Sequence, residues 1–257
     1  MSSRCVRAGF LLLALAMGAA ALGHPSLVGS TGLVQTPNTD TVPTGSFEFA
    51  ADYVRAGSEG FSVPLRLVAG ISETAELGIA FVNYGDGMDG RLTNVVGKLT
   101  LLRQPEAPFS LAIGLDYGML GEDLFHTIGL NKALRLYAVA SATLREAEGG
   151  EGQAEQAGPG VRLNAGLAYN RVEFDSGSTE SATRPFVGVE FATARGTVLA
   201  FEWRSEKVGD DIVSAVVRYP FRYNVIQLGV TKNVGGLGVS SETAIFVGFG
   251  WHFAAPE

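Results

Sequence analysis

The stretch Thr243 to Phe253 constrains the fold more than any other part of the chain. Its odd positions, Ile245, Val247, Phe249, Trp251 and Phe253, are all apolar; between them lie Ala244, Phe246, Gly248, Gly250 and His252, mostly small and with one titratable group. A repeat of two is the side-chain period of an extended strand, whose successive residues point to opposite faces. One wide apolar face fits a soluble sheet packed on a core. A run of aromatics this near the C-terminus also fits the closing strand of an outer-membrane barrel, with all five odd residues on lipid and Trp251 and Phe253 in the interfacial girdle.

The same rhythm recurs upstream. Phe47, Phe49, Ala51 and Tyr53 alternate with Glu48, Ala50 and Asp52, and Phe61, Val63, Leu65 and Leu67 with Ser62, Pro64 and Arg66. Leu77, Ile79 and Phe81 face Glu76, Gly78 and Ala80; Val95, Leu99 and Leu101 face Asn94, Lys98 and Thr100; Phe109 to Tyr117 face Ser110, Ala112, Gly114 and Asp116. Beyond Met119 the pattern weakens as far as Lys132, a long loop or a further short strand around Thr127 to Leu130. It resumes with Leu134, Leu136, Ala138 and Ala140 against Arg135, Tyr137, Ser141 and Thr143, breaks from Arg145 to Gly160, and returns as Val161 to Tyr169 against Arg162, Asn164 and Gly166. Val187, Val189 and Phe191 oppose Gly188 and Glu190; Leu199, Phe201 and Trp203 oppose Ala200, Glu202 and Arg204; Val213 to Tyr219 oppose Ser214, Val216 and Arg218; Ile226, Leu228 and Val230 follow.

These segments predict an all-β fold, a single antiparallel transmembrane β-barrel of about twelve strands, an even count that brings both termini to one side. Strands of about eleven residues at roughly 3.3 Å each, tilted about 40°, cover roughly 27 Å of membrane normal, longer than most soluble strands. Loop lengths agree with a periplasmic N-terminus. Short turns at Ser72 and Glu73, Arg103 to Ala107, Ala194 to Gly196 and Pro220 to Tyr223 fall on the periplasmic side; longer connections at Gly85 to Arg91, Gly118 to Lys132, Val172 to Arg184 and Asn233 to Glu242 fall outside. The stretch Arg145 to Gly160 disobeys: it is a periplasmic excursion, or the count is off by one strand near His126. A secreted soluble all-β protein is the competing reading.

The N-terminus carries Arg4 and Arg7, the apolar run Phe10 to Met17 and small residues to Ala21. That is the layout of a secretory signal peptide and is short for a membrane span. The expected organisation is therefore a signal peptide at 1–23, an N-terminal periplasmic segment at 24–45, the barrel at 46–253 and a C-terminal tail at 254–257, with the cell outer membrane as the destination. Loss of Arg4 and Arg7 takes the formal charge from −7 to −9, and the one cysteine, Cys5, leaves with them. The acidic balance and the absence of a Lys/Arg stripe exclude nucleic acid as a partner. Outer-membrane lipid and the barrel-assembly machinery are the expected partners, with polysaccharide as a further candidate.

With apolar faces on lipid, the lumen receives six basic residues (Arg66, Lys98, Arg135, Arg162, Arg204, Arg218) and six acidic ones (Glu48, Asp52, Glu76, Asp116, Glu190, Glu202). Opposite signs fall close together, Asp52 with Arg66, Glu76 with Lys98 and Glu202 with Arg218, a self-neutralising ladder that fills and stiffens the interior. Twelve strands close to a backbone diameter of roughly 24 Å, which leaves at most a narrow channel. No catalytic residue is assigned. Acyl-transfer chemistry needs a nucleophile, a base and an orienting group, and the histidines are His24 at the processing site, His126 in an external loop without a neighbouring serine, and His252 at the periplasmic rim. No phosphate loop or metal-ligand spacing appears, so no cofactor and no metal is expected. A passive small-solute pore and, further off, a lipid-modifying barrel enzyme are the alternatives to a structural barrel.

From Gly29 to Gly45 the chain reads Gly-Ser-Thr-Gly-Leu-Val-Gln-Thr-Pro-Asn-Thr-Asp-Thr-Val-Pro-Thr-Gly, rich in turn formers and without periodicity. It resembles the start of the YjbH-like outer-membrane proteins, where Gly-Leu-x-x-Thr-Pro and a later Gly precede the first strand. Leu136 to Ser141 is similar to a mid-chain element of that group. The resemblance implies an envelope β-barrel associated with exopolysaccharide production or export, and it carries over no catalytic residue.

Overall fold

The structure, a computed structural model, describes residues 26, 30–56, 60–85, 90–120, 130–145, 160–193, 195–205, 211–221, 224–234 and 243–253. Twelve strands follow in chain order: β1 (Phe47–Ala56), β2 (Gly60–Ser72), β3 (Ala75–Gly85), β4 (Gly90–Leu102), β5 (Ser110–Leu120), β6 (Leu130–Arg145), β7 (Gly160–Phe174), β8 (Thr179–Ala192), β9 (Val198–Arg204), β10 (Asp211–Phe221), β11 (Asn224–Val234) and β12 (Thr243–Phe253). Each pairs antiparallel with its sequence neighbours, and β1 pairs with β12 in the register Phe47↔Phe253, so the sheet closes and leaves no edge. β5 pairs directly with β6. No other strand stands between them in the barrel, and β6 ends and β7 begins on the rim where β1 starts and β12 ends. His126 itself lies outside the described residues.

The two faces of the wall invert the polarity of a soluble protein. Inward Glu48, Asp52, Arg66, Glu76, Lys98, Glu202 and Arg218 are buried, while outward Leu77, Leu115, Leu136 and Leu228 are exposed. Large apolar side chains left outside and ionic ones inside are stable only where the outside is hydrocarbon. The outer face has the expected borders. Phe47, Phe109, Phe191, Tyr219, Phe221 and Phe253 ring the terminal rim, and Tyr53, Phe61, Tyr117, Tyr169 and Trp203 form a second belt toward the opposite rim. Outward charges such as Arg55, Arg91, Lys132, Arg171 and Lys232 lie beyond that second belt, at strand ends.

On the closing strand Ile245 is 59% and Val247 49% exposed, and Phe253 is exposed as well, whereas Phe249 and Trp251 are half-buried. Those two lose exposure to their neighbours: Phe249 meets Trp251 edge-on at 4.2 Å between ring centroids, Trp251 lies 5.3 Å from Phe49, and Phe47 stacks on Phe253 at 4.6 Å. The β1–β12 seam is therefore cemented on its outer face by aromatic pairs in register as well as by the ladder.

One connection differs from expectation. Val172 to Arg184 reads as a long external loop, yet β7 runs on to Phe174 and β8 begins at Thr179. The ladder continues through Arg171↔Ser181, Val172↔Glu180 and Glu173↔Thr179, and the turn is closed by the amide of Gly177 donating to Phe174 O at 2.9 Å and that of Phe174 to Ser178 O at 2.9 Å. Apolar alternation stops where the wall leaves the apolar band. Backbone pairing does not depend on it.

Candidate functional site

The interior is occupied by the chain's own N-terminal segment. Residues 30–42, expected on the periplasmic side ahead of the first strand, lie instead within the barrel: Ser30, Thr31, Leu33 and Thr36 are fully buried, and Val34, Asn38, Thr39 and Val42 nearly so. The segment turns back on itself as a small hairpin. Gly32 bridges Pro37, the amide of Leu33 donates to Thr36 O at 2.9 Å, and that of Asn38 to Thr31 O at 3.3 Å. Gly32 is required by this close approach, since a Cβ there would stand 2.2 Å from Thr36 O. At the base, Gly45 takes a positive φ of 72°, and its amide donates to Gly70 O at 3.0 Å, which hands the chain over to β1.

A buried peptide without regular partners must have its amides and carbonyls satisfied some other way, and wall charges do it here. Glu202 on β9 accepts the consecutive amides of Val34 (3.1 Å), Gln35 (2.9 Å) and Thr36 (3.1 Å) and the Thr36 hydroxyl at 2.7 Å. Arg218 on β10 donates to Gly32 O at 2.9 Å and to Leu33 O. Glu76 on β3 takes the amides of Thr31 at 2.9 Å and Val42 at 3.1 Å as well as the Thr31 hydroxyl, while Lys98 on β4, 3.1 Å from Glu76, donates to Thr31 O at 2.9 Å. Arg162 on β7 grips Asp40 through both terminal nitrogens and also donates to Thr39 Oγ1 at 2.8 Å. Arg135 on β6 donates to Gln35 O at 3.2 Å, at the hairpin tip. Leu33 and Val34 pack against Ala200, Val216 and Phe246.

Asp40, on the segment rather than the wall, shows the electrostatic balance. Burial pushes its carboxyl up, but the Arg162 guanidinium beside it prevails and holds it below the ordinary value.

All twelve charged residues expected in the lumen are buried or half-buried on the inner face. Asp52 pairs with Arg66 and Glu76 with Lys98, both pairs with no side-chain exposure, and Asp116 lies 3.7 Å from Arg135. The expected Glu202–Arg218 pair is not among the ion pairs formed: the hairpin comes between them, Glu202 taking its amides and Arg218 its carbonyls. Glu190 accepts a hydrogen bond from Asn164 at 2.8 Å. His252 Nδ1 is 3.3 Å from Glu48 Oε1 and has no nucleophile among its hydrogen-bond partners; His24 lies outside the described residues. Asp40 and Arg184 join these charges on the inside: Asp40 sits in a segment without periodicity, and Arg184 precedes the apolar part of β8, where its parity with Phe186, Gly188 and Glu190 marks it as inward.

A closed antiparallel barrel with an apolar belt outside, charge inside and a peptide in the lumen defines the class: an outer-membrane β-barrel with an internal plug. No known family profile matches the sequence, and no curated protein does. Solved structures do resemble the fold. A KdgM porin matches with a TM-score of 0.56 at 12% identity over 79% of this chain and 98% of its own. An outer-membrane channel from Pseudomonas putida F1 matches with a TM-score of 0.59 at 12% identity over 86% of this chain and 100% of its own. At that identity the likeness is one of architecture.

Proposed function

We propose that the chain is a non-enzymatic outer-membrane barrel, closed by its N-terminal hairpin, that assists production or export of a surface polysaccharide as the YjbH-like resemblance implies. The hairpin is the observation that carries this reading. Its tip is Gly32-Leu-Val-Gln-Thr-Pro37, the Gly-Leu-x-x-Thr-Pro element of the resemblance, and each named position has a use in the lumen: Gly32 for the close approach, Leu33 for the apolar contact, Thr36 for Glu202, Pro37 for the bridge. In this reading residues 1–23 are the secretory leader, the terminal rim faces the periplasm, and lipid and the barrel-assembly machinery are the partners on the way in. A passive pore for small solutes is the second reading, favoured by the likeness to a porin and a channel; a plug held by six charged wall residues speaks against it.

The test has two parts. The protein is expected in the outer-membrane fraction, with folded and boiled forms migrating differently on a gel. Cells lacking it are expected to lose several-fold of their surface polysaccharide, restored by the unaltered chain. Recovery as a soluble periplasmic protein would contradict the barrel; an unchanged polymer yield would contradict the export role.

A further inference from the structure

The lipid-facing surface of the barrel is lopsided in charge. At the rim opposite the termini the strand ends turn Arg55, Arg91, Lys132, Arg171 and Lys232 outward, all exposed, against two outward acids, Glu173 on β7 and Asp211 on β10. At the terminal rim no outward charge stands within the strands among the described side chains. The chain as a whole carries a formal charge of −7, so these cations run against its average. A long basic side chain at a strand end lays its stem on hydrocarbon and lifts its charge to the headgroups.

Two of these cations stand together. Lys132 on β6 is opposite Glu173 and Arg171 on β7 is opposite Leu134, so the two are diagonal neighbours on one face. At the usual diagonal spacing of about 7–8 Å, long side chains reach a common group. Neither is held by an ion pair among the described residues, Glu173 included. Directly below them, Tyr117 on β5 stands opposite Leu134 and Tyr169 on β7 opposite Leu136, so two phenols of the belt flank β6. Deeper still, β6 turns Ala138 and Ala140 outward between Ile113 and Leu111 on one side and Leu167 and Ala165 on the other, a shallow furrow in the apolar band. Cations at headgroup depth, phenols at the interface and a furrow in hydrocarbon follow one amphiphile from its anionic head to its chain. A second copy docked here by twofold symmetry would set Lys132 and Arg171 against themselves.

We propose that this surface holds a phosphorylated glycolipid of the outer leaflet, its phosphate received by Lys132 and Arg171, its sugar by the phenols of Tyr117 and Tyr169, and an acyl chain lying along Ala138 and Ala140. An ammonium and a guanidinium together offer a phosphate both a point charge and a fork of paired N–H donors. The site rests on the reading that turns the terminal rim to the periplasm, and deepens it by naming the lipid partner and the place where it sits.

The experiment uses the full chain folded in detergent micelles at low ionic strength, where charge contacts are least screened, mixed with bisphosphorylated lipid A and read by native mass spectrometry for retained lipid. The unaltered chain is expected to retain lipid A, and the double variant K132Q/R171Q to need about tenfold or more lipid for the same occupancy. K232Q removes a cation of the same rim on β11, away from the site, and is expected to behave as the unaltered chain. Gel migration checks that the double variant is folded; if it is not, R171Q alone is used, with R171K expected to recover part of the loss. No retention by the unaltered chain, equal retention by the folded variant, or a loss in K232Q as large as in the double variant would each overturn the proposal. So would equal retention of lipid A stripped of its phosphates, or of phosphatidylglycerol, which has a phosphate and no sugar. Retention in micelles does not depend on polymer yield, so failed retention would sink this site alone, and an unchanged yield in deleted cells would leave it standing.

Discussion

Removal of residues 30–42 is expected to turn a barrel that passes no steady current in a planar bilayer into one with stable open-channel currents. The wall does not depend on the plug for closure, because the ladder runs unbroken from β1 through β12 and back. What the plug contributes is occupancy. Its hairpin lies against β3, β4, β6, β7, β9 and β10 through Glu76, Lys98, Arg135, Arg162, Glu202 and Arg218. Once it is gone those groups face water, which solvates them at little cost, and a twelve-stranded wall of roughly 24 Å backbone diameter retains an aqueous path. Conductance at least on the order of tenfold above that of the unaltered chain is the expected difference. Equal currents from both forms would mean that the hairpin does not close the lumen.

The second large effect concerns the wall. Asp52 on β1 and Arg66 on β2 pair with no exposure of either side chain, and Asp52 also accepts from Gln227 on β11 at 2.5 Å, so one carboxylate ties three strands across the closing seam. Asp52 fits there because Gly248 opposite it has no Cβ. Replacing Asp52 by alanine leaves the Arg66 guanidinium buried with its charge uncompensated, because its Nε and Nη1 have no other hydrogen-bond partners. Breaking such a pair from one side costs about 3–5 kcal/mol. In urea titrations of the micelle-folded protein, D52A should therefore unfold at markedly lower denaturant, and D52A/R66M should recover most of the loss, since removing both partners abolishes the orphaned charge. A double variant no more stable than D52A would show that the pair is not the cause.

The wall was legible because a barrel in lipid imposes one rule on every strand. Parity alone puts Glu76, Lys98 and Asp116 inside and Leu77, Leu99 and Leu115 outside. Partners that depend on parity and adjacency, Asp52 with Arg66 and Glu76 with Lys98, could be read the same way. The plug could not. Gly29 to Gly45 has no period, and its contacts are made mostly by its amides and carbonyls, which every sequence possesses, so nothing in its side chains announces Glu202 or Arg218. For the same reason Glu202 and Arg218 looked like each other's partner; only the hairpin between them explains why both charges are there. The turn at 175–178 was hidden by a related limit, because β7 and β8 keep their backbone ladder after the alternation that betrays a strand has ended.

Leu33 on the plug and Gly188 on β8 offer the most direct test of where the N-terminal segment lies. A Cβ at Gly188 would stand 2.5 Å from the Leu33 side-chain tip, near enough for two cysteines to approach disulfide geometry. In a chain carrying C5S, L33C and G188C, extracted folded from membranes and treated with a mild oxidant, an intramolecular crosslink between residue 33 and residue 188 is expected, recovered as one joined peptide pair after proteolysis. Two free thiols that both react with a bulky water-soluble maleimide would contradict it, and would place the segment outside the barrel.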